Sequence, residues 1–218
     1  MIISKTPLRI SFIGGGTDYF NLSKEEPGHV ISTTINKYIY IFLNKKFENN
    51  IRISYSKNEY WQNTSQIKHE IIRETFKYLK ITNGIELLTC SDIPSSGSGL
   101  GSSSALTVGL INSIYKYQGN SISKDSLARH AYHIEHQLCK KNIGLQDQFN
   151  ASYGGFREYK FYDNHNVKNT KIQISKQRLK KFTSKLLMFY SGINRKAEKI
   201  LDFDDINKKK EVNKKIKK

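Results

Sequence analysis

The chain has 218 residues and a formal net charge of +17; 37% of its residues are hydrophobic and 25% are charged. This length allows one domain, or one domain and part of a second. Lys5 and Arg9 lie within the first apolar run, which excludes a signal peptide or a membrane span there. The two cysteines, Cys90 and Cys139, lack metal-ligand spacing. We therefore expect a cytoplasmic protein without a membrane partner.

The positive charge is concentrated at the C-terminus, where seven of the residues 208–218 are lysine. A basic tail can bind nucleic acid or an anionic membrane. However, no recognisable RNA- or DNA-binding motif accompanies it, and abundant Lys, Ile and Asn are typical of an AT-rich genome. We predict no nucleic-acid partner; a nucleic-acid-binding protein is an alternative that rests on this tail alone.

Hydrophobic periodicity predicts strands before and after a central group of helices. The predicted strands cover residues 2–13, 29–35, 38–47, 51–56, 85–92, 155–161, 170–174 and 185–190. The predicted helices cover residues 66–80, 103–118, 124–139 and 146–151, and a further helix-like run covers 195–203. Strands, then helices, then strands favour an α+β fold over a regular βαβ sheet.

The first predicted strand leads into a glycine turn and an aspartate, in the segment TPLRISFIGGGTDY of residues 6–19. Asp18 follows the turn, where its carboxylate could accept hydrogen bonds from sugar hydroxyls. Aspartate is also common in turns for backbone reasons alone. Asp18 by itself therefore does not identify a site.

The segment PSSGSGLGSSSA, residues 94–105, lies between a predicted strand and a predicted helix. Its glycines let the backbone pass close to a ligand. Its serines lie where the helix begins, so backbone N–H groups point outward at the positive end of the helix dipole, a ready phosphate site. The segment does not fit a Walker A loop, a dinucleotide fingerprint or a protein-kinase loop. A glycine-serine linker is the alternative.

Two carboxylates follow this loop. Glu135 adjoins the apolar stripe of the helix predicted over 124–139, so we expect it to be partly buried and to need a partner, commonly a cation. Asp147 follows twelve residues later, in GLQDQFNASYGGF. The alternatives are a solvated helix edge for Glu135 and a helix N-terminal acid for Asp147.

These segments together resemble the motifs of the GHMP small-molecule kinases. Residues 94–105 resemble the second motif, and residues 6–19 resemble the first, P-x-R-x-x-x-x-G-x-x-T-D-Y. Glu135 and Asp147 resemble the magnesium-ligand glutamate and the catalytic aspartate of the family. The segments GGGTDY, QDQFNASYGGF and LLMFYSGINRKAEKIL are similar to the branch of D-glycero-D-manno-heptose 7-phosphate kinases.

The resemblance implies a ribosomal protein S5 domain 2-like fold for an N-terminal domain over residues 1–175. Residues 176–218 would then begin a ferredoxin-like GHMP C-terminal domain and end in the Lys-rich tail. The third, glycine-rich motif of the family is absent, since the last glycine is Gly192. We therefore expect the second domain to be truncated, and a homodimer or a separate chain to complete it.

The resemblance also implies an ATP-dependent sugar kinase. Its substrate would be D-glycero-D-manno-heptose 7-phosphate, phosphorylated on the anomeric hydroxyl to the 1,7-bisphosphate for nucleotide-activated heptose and surface polysaccharide synthesis. ATP and Mg²⁺ would be its cofactors. The alternative is a truncated, catalytically inactive kinase paralogue that only binds nucleotide or sugar phosphate.

Residue roles follow from the same resemblance. Asp147 would orient the acceptor hydroxyl and accept its proton, and Arg9 would keep Asp147 ionised. Ser103 and Glu135 would bind Mg²⁺. The nucleotide-binding residues would be those of the glycine-serine loop: Pro94, Gly97, Ser98, Gly99, Leu100, Gly101, Ser102, Ser103 and Ser104. The sugar-binding residues would be those of the first glycine turn: Gly15, Gly16, Thr17 and Asp18.

The chain departs from the heptose branch just before Asp147. That branch usually has a short glycine pair, whereas residues 139–143 read CKKNI and only Gly144 is left. The two lysines, Lys140 and Lys141, could meet the substrate phosphate. A plain surface loop is the alternative.

Overall fold

The computed structural model describes residues 1–19, 27–94, 98–162 and 166–189. Within these residues seven strands form one sheet, in the order β4-β3-β5-β2-β6-β7, and β1 pairs with β2. All pairings are antiparallel except that of β3 with β5. The strands are β1 (Ile2–Ile13), β2 (Gly28–Lys45), β3 (Ile51–Ser54), β4 (Asn58–Trp61), β5 (Ile85–Ser91), β6 (Phe156–Phe161) and β7 (Val167–Lys171).

The described residues also form five α-helices, which lie between and after the strands in the chain. They are α1 (Glu70–Tyr78), α2 (Ser102–Tyr117), α3 (Lys124–Tyr132), α4 (Gln146–Tyr153) and α5 (Lys176–Thr183). A short 3₁₀ turn covers Thr64–Gln66, and α3 continues into a π-helical turn over His133–Leu138. None of the helices in the described ranges is long and apolar enough to span a membrane.

Helix α2 crosses β1 and β2 at close range, and this contact forms the centre of the core. A Cβ on Gly109 would lie 2.5 Å from Thr6 Oγ1 and 3.0 Å from Ser4 Oγ. Only glycine therefore allows this approach without displacing β1. The core around it consists of fully buried aliphatic and aromatic side chains, including Leu8, Ile41, Leu43, Phe76, Leu110 and Ile111.

An irregularity in the pairing of β1 with β2 lies between Pro7 and Arg9. Before it, Ser4 and Thr6 face α2. After it, Arg9 and Ser11 face α4 and bond to its first residues. The inward face thus changes from even to odd positions, and this change directs Arg9 toward the helices.

The α+β class and the domain fold predicted from the sequence are confirmed. Most predicted elements form, but the strands predicted over 29–35 and 38–47 are one continuous β2, and the helix predicted from residue 66 begins at Glu70. The strand predicted over 185–190 is wrong, because residues 185–189 are irregular and follow the unpredicted helix α5. Strand β4 was also not predicted. The helix-like run over 195–203 lies outside the described residues.

Candidate active site

The glycine-serine loop ends at the first turn of α2. Gly101 precedes the helix with φ +75°, and Gly99 has φ +69°. The N–H groups of the first helical turn lack partners within the helix, and a helix start of this kind can bind an anion. The Arg9 N–H donates to Leu100 O at 3.1 Å, which ties the loop to β1. Pro94 and residues 98–104 are described, whereas predicted residue Gly97 lies outside the described residues.

Arg9 and Asp147 form an ion pair beside this loop. Asp147 Oδ1 lies 2.7 Å from Arg9 Nε and 2.6 Å from Arg9 Nη2, and Arg9 Nη1 donates to Gly99 O at 2.6 Å. Such charge-assisted bonds fix both side chains. A Cβ on Gly101 would lie 3.3 Å from Asp147 Cγ. The Asp147 carboxylate therefore lies against the glycine-serine loop. Its side chain is 24% exposed, so it remains reachable from solvent.

Ser103 and Glu135 meet behind the start of α2. Glu135 is fully buried; Ser103 Oγ donates to its Oε1 at 2.5 Å, and Gln148 Nε2 donates to its Oε2 at 2.7 Å. Burial raises the pKa of Glu135, and the charge of Lys141 and the hydrogen bonds oppose this rise. The expectation of partial burial was too weak, because the chain makes a π-helical turn here, with Cys139 N–H bonded to Ile134 O.

The Ser103–Glu135 pair offers two oxygen ligands at the end of the phosphate loop. Mg²⁺ keeps several waters and usually binds through one or two carboxylates together with phosphate oxygens. The pair fits such an ion. The described part of the chain contains no group of three or more His, Cys, Asp or Glu able to hold a metal ion.

Asp18 is buried, with only 2% of its surface exposed. Its Oδ2 accepts from the Gln146 N–H at 3.0 Å, and its Oδ1 accepts from the Gln146 side-chain amide at 3.1 Å. Burial raises the pKa of Asp18; the Gln146 N–H opposes this rise and the charge of Asp147 adds to it. A Cβ on Gly144 would lie 2.0 Å from Asp18 Oδ2. Asp18 therefore fastens the start of α4.

The rest of the first glycine turn is more open. Thr17 Oγ1 donates to Gly14 O at 2.8 Å and accepts from His29 N–H at 2.9 Å. Among the described residues, no atom lies within 4 Å of a Cβ built on Gly15 or Gly16. These two predicted residues are therefore not covered by the described part of the chain.

The structure brings Arg9, Asp18, Ser103, Glu135 and Asp147 to one end of the helix layer. Two polar residues that support them, Gln146 and Gln148, are both buried and were not predicted. Lys141, one of the two lysines singled out in the sequence, contacts Ser103. The two glutamines flank Asp147 in the chain. No local pattern singled them out, because α4 reads QDQFNASY and is polar at most positions; buried amides need polar partners, and these lie elsewhere in the chain.

The sequence is similar to that of known kinases. Residues 64–155 match the GHMP kinases N terminal domain. The chain is 30% identical over 214 residues to D-glycero-alpha-D-manno-heptose 7-phosphate kinase of Campylobacter jejuni, covering 91% of this chain and 62% of that protein. The chain thus spans about three fifths of the length of this curated relative.

Solved structures share the fold of this chain. A D-glycero-D-manno-heptose 1-phosphate kinase of Bacteroides thetaiotaomicron superposes with a TM-score of 0.73 at 25% identity, over 80% of this chain and 61% of that one. The mevalonate kinase of Methanococcus jannaschii superposes with a TM-score of 0.61 at 22% identity, over 79% of this chain and 56% of that one. The second likeness concerns the fold alone.

Proposed function

We propose that the chain, whose residues 64–155 match the GHMP kinases N terminal domain, phosphorylates D-glycero-D-manno-heptose 7-phosphate at the expense of ATP. The product would be the 1,7-bisphosphate, for nucleotide-activated heptose and surface polysaccharide. Two relatives are named as D-glycero-D-manno-heptose phosphate kinases, and they differ in the position of that phosphate. The observation that carries the proposal is the Arg9–Asp147 pair, fixed beside the glycine-serine loop.

The proposed step needs a base and a place for the nucleotide phosphates. The anomeric oxygen attacks the γ-phosphorus, its proton passes to an Asp147 carboxylate oxygen, and ADP leaves. Arg9 holds Asp147 through Oδ1, which leaves Oδ2 to meet the acceptor hydroxyl. The outward N–H groups of the first turn of α2 bind phosphate oxygens. Positioning and charge neutralisation of this kind account for most of phosphoryl-transfer catalysis.

Magnesium is part of the proposal, with Ser103 and Glu135 as its ligands. When bound, the ion would neutralise charge on the nucleotide phosphates. Glu135 is kept in place by Gln148, which also donates to Ser104 Oγ at 3.0 Å. The first glycine turn, in which the described part of the chain leaves Gly15 and Gly16 uncovered, would receive the sugar.

We further propose that residues 1–175 form this domain and that the following residues begin the second GHMP domain. Helix α5 already touches the first domain, because Phe182 packs against Phe12 and Phe156. A cytoplasmic location agrees with these substrates.

The test is ADP formation by the chain with heptose 7-phosphate, ATP and Mg²⁺, compared with an Asp147→Asn variant. Loss of a general base lowers turnover about 10²- to 10⁴-fold, and ATP affinity should stay unchanged. Equal turnover in the variant would remove Asp147 as the base. ATP binding without turnover in the unmodified chain would favour the alternative, a paralogue that only binds nucleotide or sugar phosphate.

A further inference from the structure

Lys141 lies against the Ser103–Glu135 pair, in the segment that departs from the heptose branch. Its Nζ donates to Ser103 Oγ at 3.0 Å, and the Ser103 hydroxyl in turn donates to Glu135 Oε1. An ammonium group therefore lies one hydroxyl away from a fully buried carboxylate. A plain surface lysine would have no such contact, so Lys141 is directed at the phosphate-loop side of the site.

The backbone of this segment holds Lys141 in place. Its N–H donates to Glu135 O at 3.0 Å, and its carbonyl oxygen lies 2.9 Å from His136 Nδ1. The preceding residue, Lys140, has a left-handed φ of +53° and an exposed side chain. The turn thus directs one lysine inward and its neighbour outward. Lys140 is therefore a matched control for Lys141.

The Lys141 ammonium group and a divalent metal ion would compete for the Ser103 hydroxyl oxygen. The ammonium hydrogen bond occupies one of the two lone pairs of Ser103 Oγ, so a metal ion bound through the other would lie next to the ammonium. Two cations at one oxygen also repel each other strongly where water is excluded. A divalent ion that binds Ser103 and Glu135 must therefore displace Lys141 from the hydroxyl.

We propose that Lys141 is a built-in cation of the Ser103–Glu135 pair, which competes there with a divalent metal ion. It would balance the buried carboxylate in the absence of metal and weaken metal binding by the free protein. The inference rests on the proposed function only for naming this pair as the metal site. The alternative, that Lys141 only braces the loop, predicts no change in metal affinity when the charge is removed.

The experiment is a titration of the free chain with Mn²⁺ alone, followed by electron paramagnetic resonance of the unbound ion. Lys141→Met should bind Mn²⁺ at least about tenfold more tightly than Lys140→Met, because a repelling charge is gone. Lys141→Arg keeps the charge and should resemble the unmodified chain. Adding Glu135→Gln to Lys141→Met should remove the gain. If the Met variant does not fold, Lys141→Gln takes its place.

Equal Mn²⁺ affinity in Lys141→Met and Lys140→Met would overturn the inference, as would a gain that survives Glu135→Gln. Binding of ADP to the unmodified chain, with and without Mg²⁺, tests the proposed function separately. A chain that binds no ADP contradicts that function, and the Mn²⁺ titration still decides the role of Lys141. ADP binding with unchanged Mn²⁺ affinities would retain the function and reject the built-in cation.

Discussion

Glu59 on β4 and Glu135 in the π-helical turn are both buried carboxylates, but their surroundings differ. Glu59 accepts four hydrogen bonds, two of them from backbone N–H groups, at Lys68 and His69. The other two come from Tyr55 and Trp61 side chains. All the hydrogen bonds given for Glu135 come from side chains: the Ser103 hydroxyl and the Gln148 amide donate to it, and Ser104 adds a further side-chain hydrogen bond.

This difference appears in the pKa values of the two carboxylates. Burial disfavours the charge of Glu59, but the hydrogen bonds, led by the Lys68 N–H, outweigh it and lower the pKa of Glu59. At Glu135 burial prevails and the pKa is raised. A carboxylate bound by fixed backbone donors is saturated and structural. One bound by a hydroxyl and an amide can exchange them for a cation.

The strongest test of this comparison is Glu135→Gln. The variant would lose a proposed metal ligand, so we expect turnover to fall by more than about 100-fold, the upper end of what loss of a supporting residue of a metal site costs. Stability at neutral pH should change little, because removal of the buried charge offsets the one donor, of Ser103 and Gln148, that the new amide cannot accept. Turnover and urea unfolding measure the two effects. Turnover close to that of the unmodified chain would contradict the metal assignment.

The reverse result is expected for Glu59→Gln. An amide cannot accept on both of its terminal atoms, so some of the four donors around residue 59 would be left buried and unbonded. We expect the free energy of unfolding to fall by about 2–4 kcal/mol, with turnover per folded molecule unchanged. The measurement is urea unfolding of Glu59→Gln and Glu135→Gln in parallel. Equal stability of these two variants would break the comparison.

Asp18 lies between the two cases, since one of its donors is the Gln146 backbone and the other is the Gln146 side chain. Gly144→Ala tests whether the position of Asp18 matters for stability, because the new Cβ would lie 2.0 Å from Asp18 Oδ2 and displace the carboxylate. Overpacking of this kind costs about 1–3 kcal/mol of unfolding free energy. Gly15→Ala is the control, with no atom of the described residues within 4 Å of its Cβ. If both variants unfold alike, the contact at Gly144 has no role.

The sequence motifs predicted which residues meet in this site, because each motif carries its own turn or helix start. They could not predict how fully Glu135 is buried, since that depends on a π-helical turn closed by a hydrogen bond from Cys139 to Ile134. Strict alternation along β1 would place Leu8 and Arg9 on opposite faces. Arg9 faces the helices only because of a pairing irregularity with β2, which is a long-range feature.

Glu59 escaped prediction for a different reason. Its donors lie two to ten residues away, in a hairpin and a loop whose approach is set by packing rather than by local pattern. The strand predicted over 185–190 was based on an apolar run, LLMFY. In the structure Leu187 and Phe189 are exposed, so that run does not form part of the sheet. An apolar run alone does not identify the surface that covers it.

The smallest expected effect is the pH dependence of stability, which should have opposite signs for the two glutamates. For Glu59 the folded pKa lies below its ordinary value of 4.5. Its contribution is therefore present above pH 4.5 and is lost as the pH falls through the folded pKa. For Glu135 the folded pKa lies above 4.5, so the folded state binds the extra proton and stability falls as the pH rises from 4.5 through the folded pKa.

Urea unfolding of the two Gln variants between acid and neutral pH separates these contributions. The stability deficit of Glu59→Gln should shrink as the pH falls below 4.5, since the unmodified chain loses the same charge there. The stability of Glu135→Gln relative to the unmodified chain should instead grow as the pH rises above 4.5. Parallel pH profiles for the two variants would mean that both carboxylates are held alike. The different hydrogen bonds of Glu59 and Glu135 would then not translate into different pKa values, and the distinction between a saturated carboxylate and an exchangeable one would fail.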